Sequence, residues 1–164
     1  MSHASHSNIR AGWREWVRLP DIGVPWIKAK LDTGAQTSSL HASGIKPFER
    51  DGEEWVRFRV RPWQDSADDD VLVELPIQDR RDVRSSNGHV QERIVVRMSI
   101  VLLERTIRTD VTLSNRSTMG FRMLIGRRAL RRGFDVSSRD SYLGGRAPRE
   151  ARRANRGRAE DVTG

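Results

Sequence analysis

Hydrolysing an amide without a metal or a covalent nucleophile takes two carboxyl groups. One removes a proton from water while the other gives one to the carbonyl oxygen, and two close carboxyls share a proton because both cannot ionise cheaply. The stretch Ala29 to Ser38, Ala-Lys-Leu-Asp-Thr-Gly-Ala-Gln-Thr-Ser, offers one such group at Asp32. Asp-Thr-Gly favours a turn: Gly34 accepts positive φ, and the Asp32 side chain can bond its own backbone two residues on. The sequence contains a single Asp-Thr-Gly, which is half a site. The simplest complete site is a symmetric homodimer in which Asp32 meets its twin across a two-fold axis. The plainer reading is an Asx turn joining two strands with no chemistry.

Other chemistries find less support. There are no cysteines, which removes disulfides, thiolate zinc sites and a cysteine nucleophile. The histidines His3, His6, His41 and His89 form no His-Glu-x-x-His pair, and no Gly-x-x-x-x-Gly-Lys-Ser/Thr phosphate loop occurs. No metal or cofactor is therefore expected, and a metal-dependent peptidase around His41 and His89 stands as an alternative. The acidic run Asp65 to Asp70 has the carboxylates calcium prefers but lacks the glycine and distal glutamate of an EF-hand loop, so an exposed connection is expected there.

Alternation of apolar and polar residues tells which elements position Asp32. Trp13, Val17 and Leu19 share a face at period two, Pro20-Asp21-Ile22-Gly23 turns the chain, and Ile27, Ala29 and Leu31 then share a face that runs into Asp32. Further strands are predicted at Ile45 to Phe48, at Glu54 to Val60 after an Arg50-Asp51-Gly52 turn, and at Val71 to Ile77. Arg80 to His89 reads as a polar hairpin around Asn87-Gly88. Ile94 to Leu102 and Ile107 to Leu113 give the longest alternation, and Phe121 to Gly126 is a short apolar strand. Arg127 to Arg132 reads as a helix stopped by Gly133, with a last edge at Phe134 to Val136 and Tyr142-Leu143. The pattern predicts an all-β fold, closed or sandwich-like, with one short helix late in the chain.

At 164 residues and 36% apolar content, the chain has material for one core. Residues 12–146 are expected to form it, with 1–11 and an arginine-rich 147–164 disordered, since the tail has almost no large apolar side chains. The net charge of +8 comes almost wholly from arginine. Because the arginines are interleaved with acids along most of the chain, solvated strand faces are favoured over a nucleic-acid surface with Trp13, Trp16, Trp26, Trp55 and Trp63 as stacking platforms. No run approaches a membrane span, and Met1 to Arg10 lacks an apolar signal core, so a cytoplasmic protein without membrane contact is expected.

Leu31-Asp32-Thr33-Gly34-Ala35 followed by Thr37-Ser38-Ser39-Leu40 resembles the active-site loop of retropepsin-like aspartic proteases. The order of the parts matches too, with a polar hairpin in the middle and Leu124-Ile125-Gly126-Arg127 before a helix. Lys28 to Ala35, Ser39 to Ala42, Ser85 to Gly88, Ile125 to Leu130 and Ser141 to Leu143 are similar to the retropepsin-like branch often described as ATP-dependent zinc proteases and associated with ATP-grasp glutamate ligases.

That resemblance implies a closed acid-protease β barrel in which Asp32 is catalytic. Thr33, Gly34 and Ala35 would complete the active-site loop, Ser85, Ser86, Asn87 and Gly88 a flap, and Ile125, Gly126 and Arg127 the support beneath the loop. It further implies a peptide or protein substrate, glutamate-modified targets among them, and an ATP-grasp ligase partner. A non-catalytic peptide- or polyanion-binding module serving such a ligase is the other reading.

Overall fold

The computed structural model of the chain describes residues 8–63, 69–84, 88–115 and 120–154. In order, the elements are β1 (Ile9–Gly12), β2 (Arg14–Leu19), a 3₁₀ turn (Pro20–Ile22), β3 (Val24–Leu31), β4 (Ser38–His41), β5 (Ser43–Arg50), β6 (Glu53–Val60), β7 (Val71–Pro76) and β8 (Asp79–Arg84). There follow β9 (Val90–Leu102), β10 (Arg105–Ser114), β11 (Met123–Ile125), α1 (Arg127–Leu130), β12 (Phe134–Ser137) and α2 (Arg149–Ala154).

Turn chemistry sets the hairpins. Pro20 opens the β2–β3 turn and Gly23, at φ 71°, closes it. Asp51 and Gly52 both have positive φ between the paired residues Arg50 and Glu53, the two-residue turn whose twist suits a hairpin. Leu103 and Glu104 do the same between β9 and β10, although neither is glycine.

The pairings β10–β4–β11–β3–β2–β9 return to β10 through the long β9–β10 hairpin, so six strands form a closed ring. The β2–β9 seam is the thinnest, with Arg18 opposite Val101. β8 pairs with the first half of β9 outside the ring, and β5, β6 and β7 form a three-stranded antiparallel sheet. Alternation decides which side chains fill the interior: Val17, Leu19, Ile27, Ala29, Leu31, Met98, Ile100, Leu102, Ile107 and Val111 are buried, and Val56, Phe58, Val60 and Val73 from the smaller sheet join the same core. The protein is mostly β, with two short helices late in the chain.

The ends depart from expectation. Ile9–Gly12, of which all but Gly12 was expected to be disordered, pairs in parallel with Phe134–Ser137, extended by a bond from the Ile9 N–H to the Gly133 carbonyl at 2.8 Å. Past Arg146, Ala147 is 2% exposed and Arg149–Ala154 is a second short helix, fastened by the Arg152 guanidinium to the Ala147 carbonyl at 3.0 Å. A buried small side chain and a bond from a side chain to the backbone tie this stretch down in place of the large apolar residues it lacks. The predicted helix Arg127 to Arg132 stops at Leu130 and continues as turns into Gly133, and Tyr142-Leu143 is a turn rather than an edge strand, with Tyr142 at φ 57°.

Candidate active site

β3 delivers Asp32 because its neighbours hold both sides of the strand. Ala29, Lys30 and Leu31 run parallel to Met123, Leu124 and Ile125 of β11, which lies between β3 and β4. The segment from Asp32 to Thr37 therefore has to pass over the end of β11, and it is stitched there. The Asp32 N–H donates to the Ile125 carbonyl at 2.9 Å, and the Arg127 and Arg128 N–H groups donate to the Ala35 and Gln36 carbonyls at 2.6 and 3.1 Å.

Gly126 is the crossing point. A Cβ there would lie 2.5 Å from the carbonyl of Thr37 and 3.0 Å from that of Ala35, and its N–H donates to the buried Ser38 hydroxyl at 3.0 Å. Ile125, Gly126 and Arg127 thus touch the loop through their backbone, and Ser38 completes the joint. The hydroxyl run after the turn was the signal for Ser38, which was read only as part of the resemblance.

Within the loop, Asp32 Oδ1 accepts the Gly34 N–H at 2.9 Å, the Asx turn foreseen from Asp-Thr-Gly, and the Ala35 N–H donates to the Asp32 carbonyl at 3.2 Å. Asp32 and Ala35 are half-buried, whereas Thr33 and Gly34 are exposed. Arg127 reaches the Thr33 carbonyl at 3.4 Å. One carboxylate oxygen is thereby engaged locally at the tip of a rigid strand, a placement in which the group can be offered to water or to a second carboxyl.

The hairpin is only partly placed. β8 and β9 pair antiparallel as far as Arg84 opposite Val90, and Gly88 sits at φ 85°, while Ser85, Ser86 and Asn87 lie outside the described residues. Among the described residues no hydrogen bond joins Gly88 to the Asp32 loop.

Among the described residues, His41 and His89 belong to no metal-binding group. His41 is half-buried in a small pocket lined by Ser39, Ser114 and Arg122 and by Phe121, Met123 and Leu124, and both burial and the Arg122 charge lower its pKa, against a backbone bond at Ser114 that raises it. A guanidinium beside the ring is a poor neighbour for a metal cation. Among the described residues no group of three or more His, Asp or Glu has a metal-binding arrangement. Among the tryptophans, Trp63 is buried and the other four are half-buried: Trp16 packs on Trp63, and Trp55 lies beneath the Arg50 guanidinium.

One carboxylate was missed by sequence reasoning. Glu15 is fully buried and accepts the N–H groups of Gly12 and Leu143 on Oε2, at 2.7 and 2.9 Å, and that of Gly144 on Oε1 at 3.0 Å. Its signal was available, since Glu15 interrupts the apolar face of Trp13, Val17 and Leu19 at the same period.

Comparison with known proteins places this geometry. The model of the RimB-like family, described as retropepsin-like aspartic endopeptidase RimB, matches residues 10–143. A protein of Shewanella halifaxensis called probable alpha-L-glutamate ligase is 43% identical over 131 residues, and one of the same description from Desulfotalea psychrophila is 44% identical over 119. These alignments cover 80% and 73% of this chain but 29% and 26% of those proteins, so the chain spans under a third of the curated relatives it matches. The crystal structure of Lpg0085 from Legionella pneumophila, a protein of unknown function, superposes with a TM-score of 0.71 at 28% identity, covering 84% of this chain and 99% of that one. Among the described residues, no helix is long and apolar enough to cross a membrane. The chain belongs to the RimB-like family of retropepsin-like aspartic endopeptidases.

Proposed function

We propose that the chain is an aspartic-type endopeptidase, complete as a homodimer, in which Asp32 and the Asp32 of a second copy activate one water for attack on a peptide bond. The observation that carries this reading is the support beneath Asp32. Backbone bonds from Asp32, Arg127 and Arg128, and the close passage of Gly126, fix the loop far more rigidly than a connecting turn requires.

In the dyad, the ionised carboxylate takes a proton from water as its oxygen bonds the carbonyl carbon, and the protonated partner gives its proton to the carbonyl oxygen. Collapse of the resulting intermediate breaks the C–N bond, with a proton passed from the dyad to the leaving amine. Thr33 braces the paired loops and Gly34 permits their approach. Targets carrying added glutamates fit both the net positive charge and the glutamate-ligase names of the relatives, with such a ligase as partner.

Because the chain matches only about a quarter of those ligase-named proteins, a second reading has support: a binding module that presents a target to a ligase without turnover. Cleavage of glutamate-tailed peptides by wild type and by Asp32→Asn, each with and without a strong chelator, separates the readings. Asn keeps the Asx turn and the shape, so the fold survives while the rate drops by about 10²- to 10⁴-fold. Chelator-sensitive cleavage that persists in Asp32→Asn would contradict the aspartic mechanism and favour a metal reading around His41 and His89. No cleavage by wild type would favour the binding module.

A further inference from the structure

Arg14 and Glu15 are neighbours on β2 whose side chains leave opposite faces of the strand. Glu15 turns inward and, by accepting the Leu143 and Gly144 N–H groups, pins the turn after Ser141. That turn is further closed by the Tyr142 N–H on the Arg14 carbonyl at 3.0 Å and the Gly145 N–H on the Tyr142 carbonyl at 3.1 Å. Tyr142 is held at φ 57°, a left-handed conformation that a bulky residue keeps only where its surroundings over-determine it.

What the strained turn achieves is the position of the Tyr142 ring. The Arg14 guanidinium carbon lies 5.0 Å from that ring centroid and 4.7 Å from the Trp13 ring centroid, and Arg14 Nε donates to the Ser141 hydroxyl at 3.0 Å. The guanidinium is thus held by two rings and tethered through Nε, with its terminal amino groups uncommitted to any acid. Among the described residues no carboxylate pairs with it, whereas Arg50 and Arg57 share Glu74, and Arg80 bridges Glu54 and Glu92.

Its location is specific as well. Arg14 pairs with Lys30, and the Trp13 carbonyl accepts the Leu31 N–H at 2.8 Å, so β2 carries Arg14 alongside the end of β3 that leads into Asp32. Lys30, exposed on that strand two residues before Asp32, adds a second cation.

We propose that Arg14, clamped between Trp13 and Tyr142, is the subsite that receives a substrate carboxylate and makes the site selective for acidic peptides. A planar fork matches a carboxylate in two parallel hydrogen bonds, and a fork already immobilised loses little further freedom on binding. The use of this subsite in cleavage rests on the peptidase reading, but binding to it does not.

The test is therefore made in the Asp32→Asn protein, by fluorescence anisotropy with labelled hexaglutamate and hexaglutamine. Hexaglutamate should bind at least about tenfold more tightly, the increment of one charge-assisted pair, and Arg14→Gln should reduce that preference to about twofold or less. Arg14→Lys keeps the charge without the fork and should lose most of the preference, Tyr142→Phe should retain it, and Tyr142→Ala should weaken it. If Arg14→Gln fails to fold, Arg14→Lys and Tyr142→Ala carry the same comparison.

Equal loss of both peptides, an unchanged preference in Arg14→Gln, or no hexaglutamate binding at all would overturn the proposal. So would a single-stranded oligonucleotide of equal charge that binds more tightly with the same dependence on Arg14. Failure of wild type to cleave peptides would overturn the peptidase reading and leave this binding comparison legible.

Discussion

Asp32 and Glu15 are both carboxylates that accept N–H groups from a turn, yet the surrounding chain uses them in opposite ways. Glu15 is fully buried, and both its oxygens are engaged by three backbone donors from segments on either side of it in sequence. Asp32 is half-buried, engages one oxygen with the Gly34 N–H, and has its rigidity supplied from below by β11 and α1. A buried carboxylate with both oxygens taken by backbone donors holds structure together. One that is held firmly through its backbone while its side chain stays accessible is placed for chemistry.

Replacing each acid breaks the comparison most directly. Glu15→Ala leaves the Gly12, Leu143 and Gly144 N–H groups without their acceptor and should cost about 2–3 kcal/mol of stability, roughly 1–3 kcal/mol for the buried Gly12 donor and less for the part-buried other two. Asp32→Asn should shift stability by less than about 0.5 kcal/mol, since the Asx turn survives. Urea unfolding of both variants reads the contrast, and equal losses would erase it.

Gly126→Ala sharpens the Asp32 side. A Cβ driven into the Thr37 and Ala35 carbonyls should cost about 1–3 kcal/mol through overpacking. It should also speed amide exchange at Asp32 and Ala35, because the loop lifts from its support. Unchanged exchange there would show that the loop is held by something other than this crossing.

The smallest effect comes from His41. Burial and the Arg122 charge lower its pKa from 6.5, so between that value and the lower folded one the unfolded chain binds a proton that the folded chain refuses. Stability should therefore fall as the pH drops below about 6.5, the unfolded value, and His41→Gln should flatten that slope. Denaturant midpoints from pH 7.5 to 5 check it, and an identical slope in the variant would remove His41 from the account.

Much of this was legible in advance. Period-two alternation located β2, β3, β6, β7, β9 and β10 because each buries one face, and Asp-Thr-Gly marked the tip of β3. Ring closure was legible only through the resemblance to a family: β4 meets β10, and β11 meets β3, as parallel partners distant in sequence, and no local pattern records such pairings. β1 and α2 were missed because each is too short to show a period. Glu15 shares the period of Trp13, Val17 and Leu19, which marks the position as inward-facing but not what the acid holds there. Only the positions of the Gly12, Leu143 and Gly144 donors reveal it as a buried anchor.

The central claim is that one Asp32 is half of a shared site, and mixing subunits tests it. Wild type and Asp32→Asn, unfolded together at equal amounts and refolded, should form homodimers and mixed dimers statistically. If both carboxylates are needed, only wild-type homodimers cleave peptide, and activity should fall to about a quarter of the all-wild-type value. A fall to about half would mean that each Asp32 works alone, and would contradict the account.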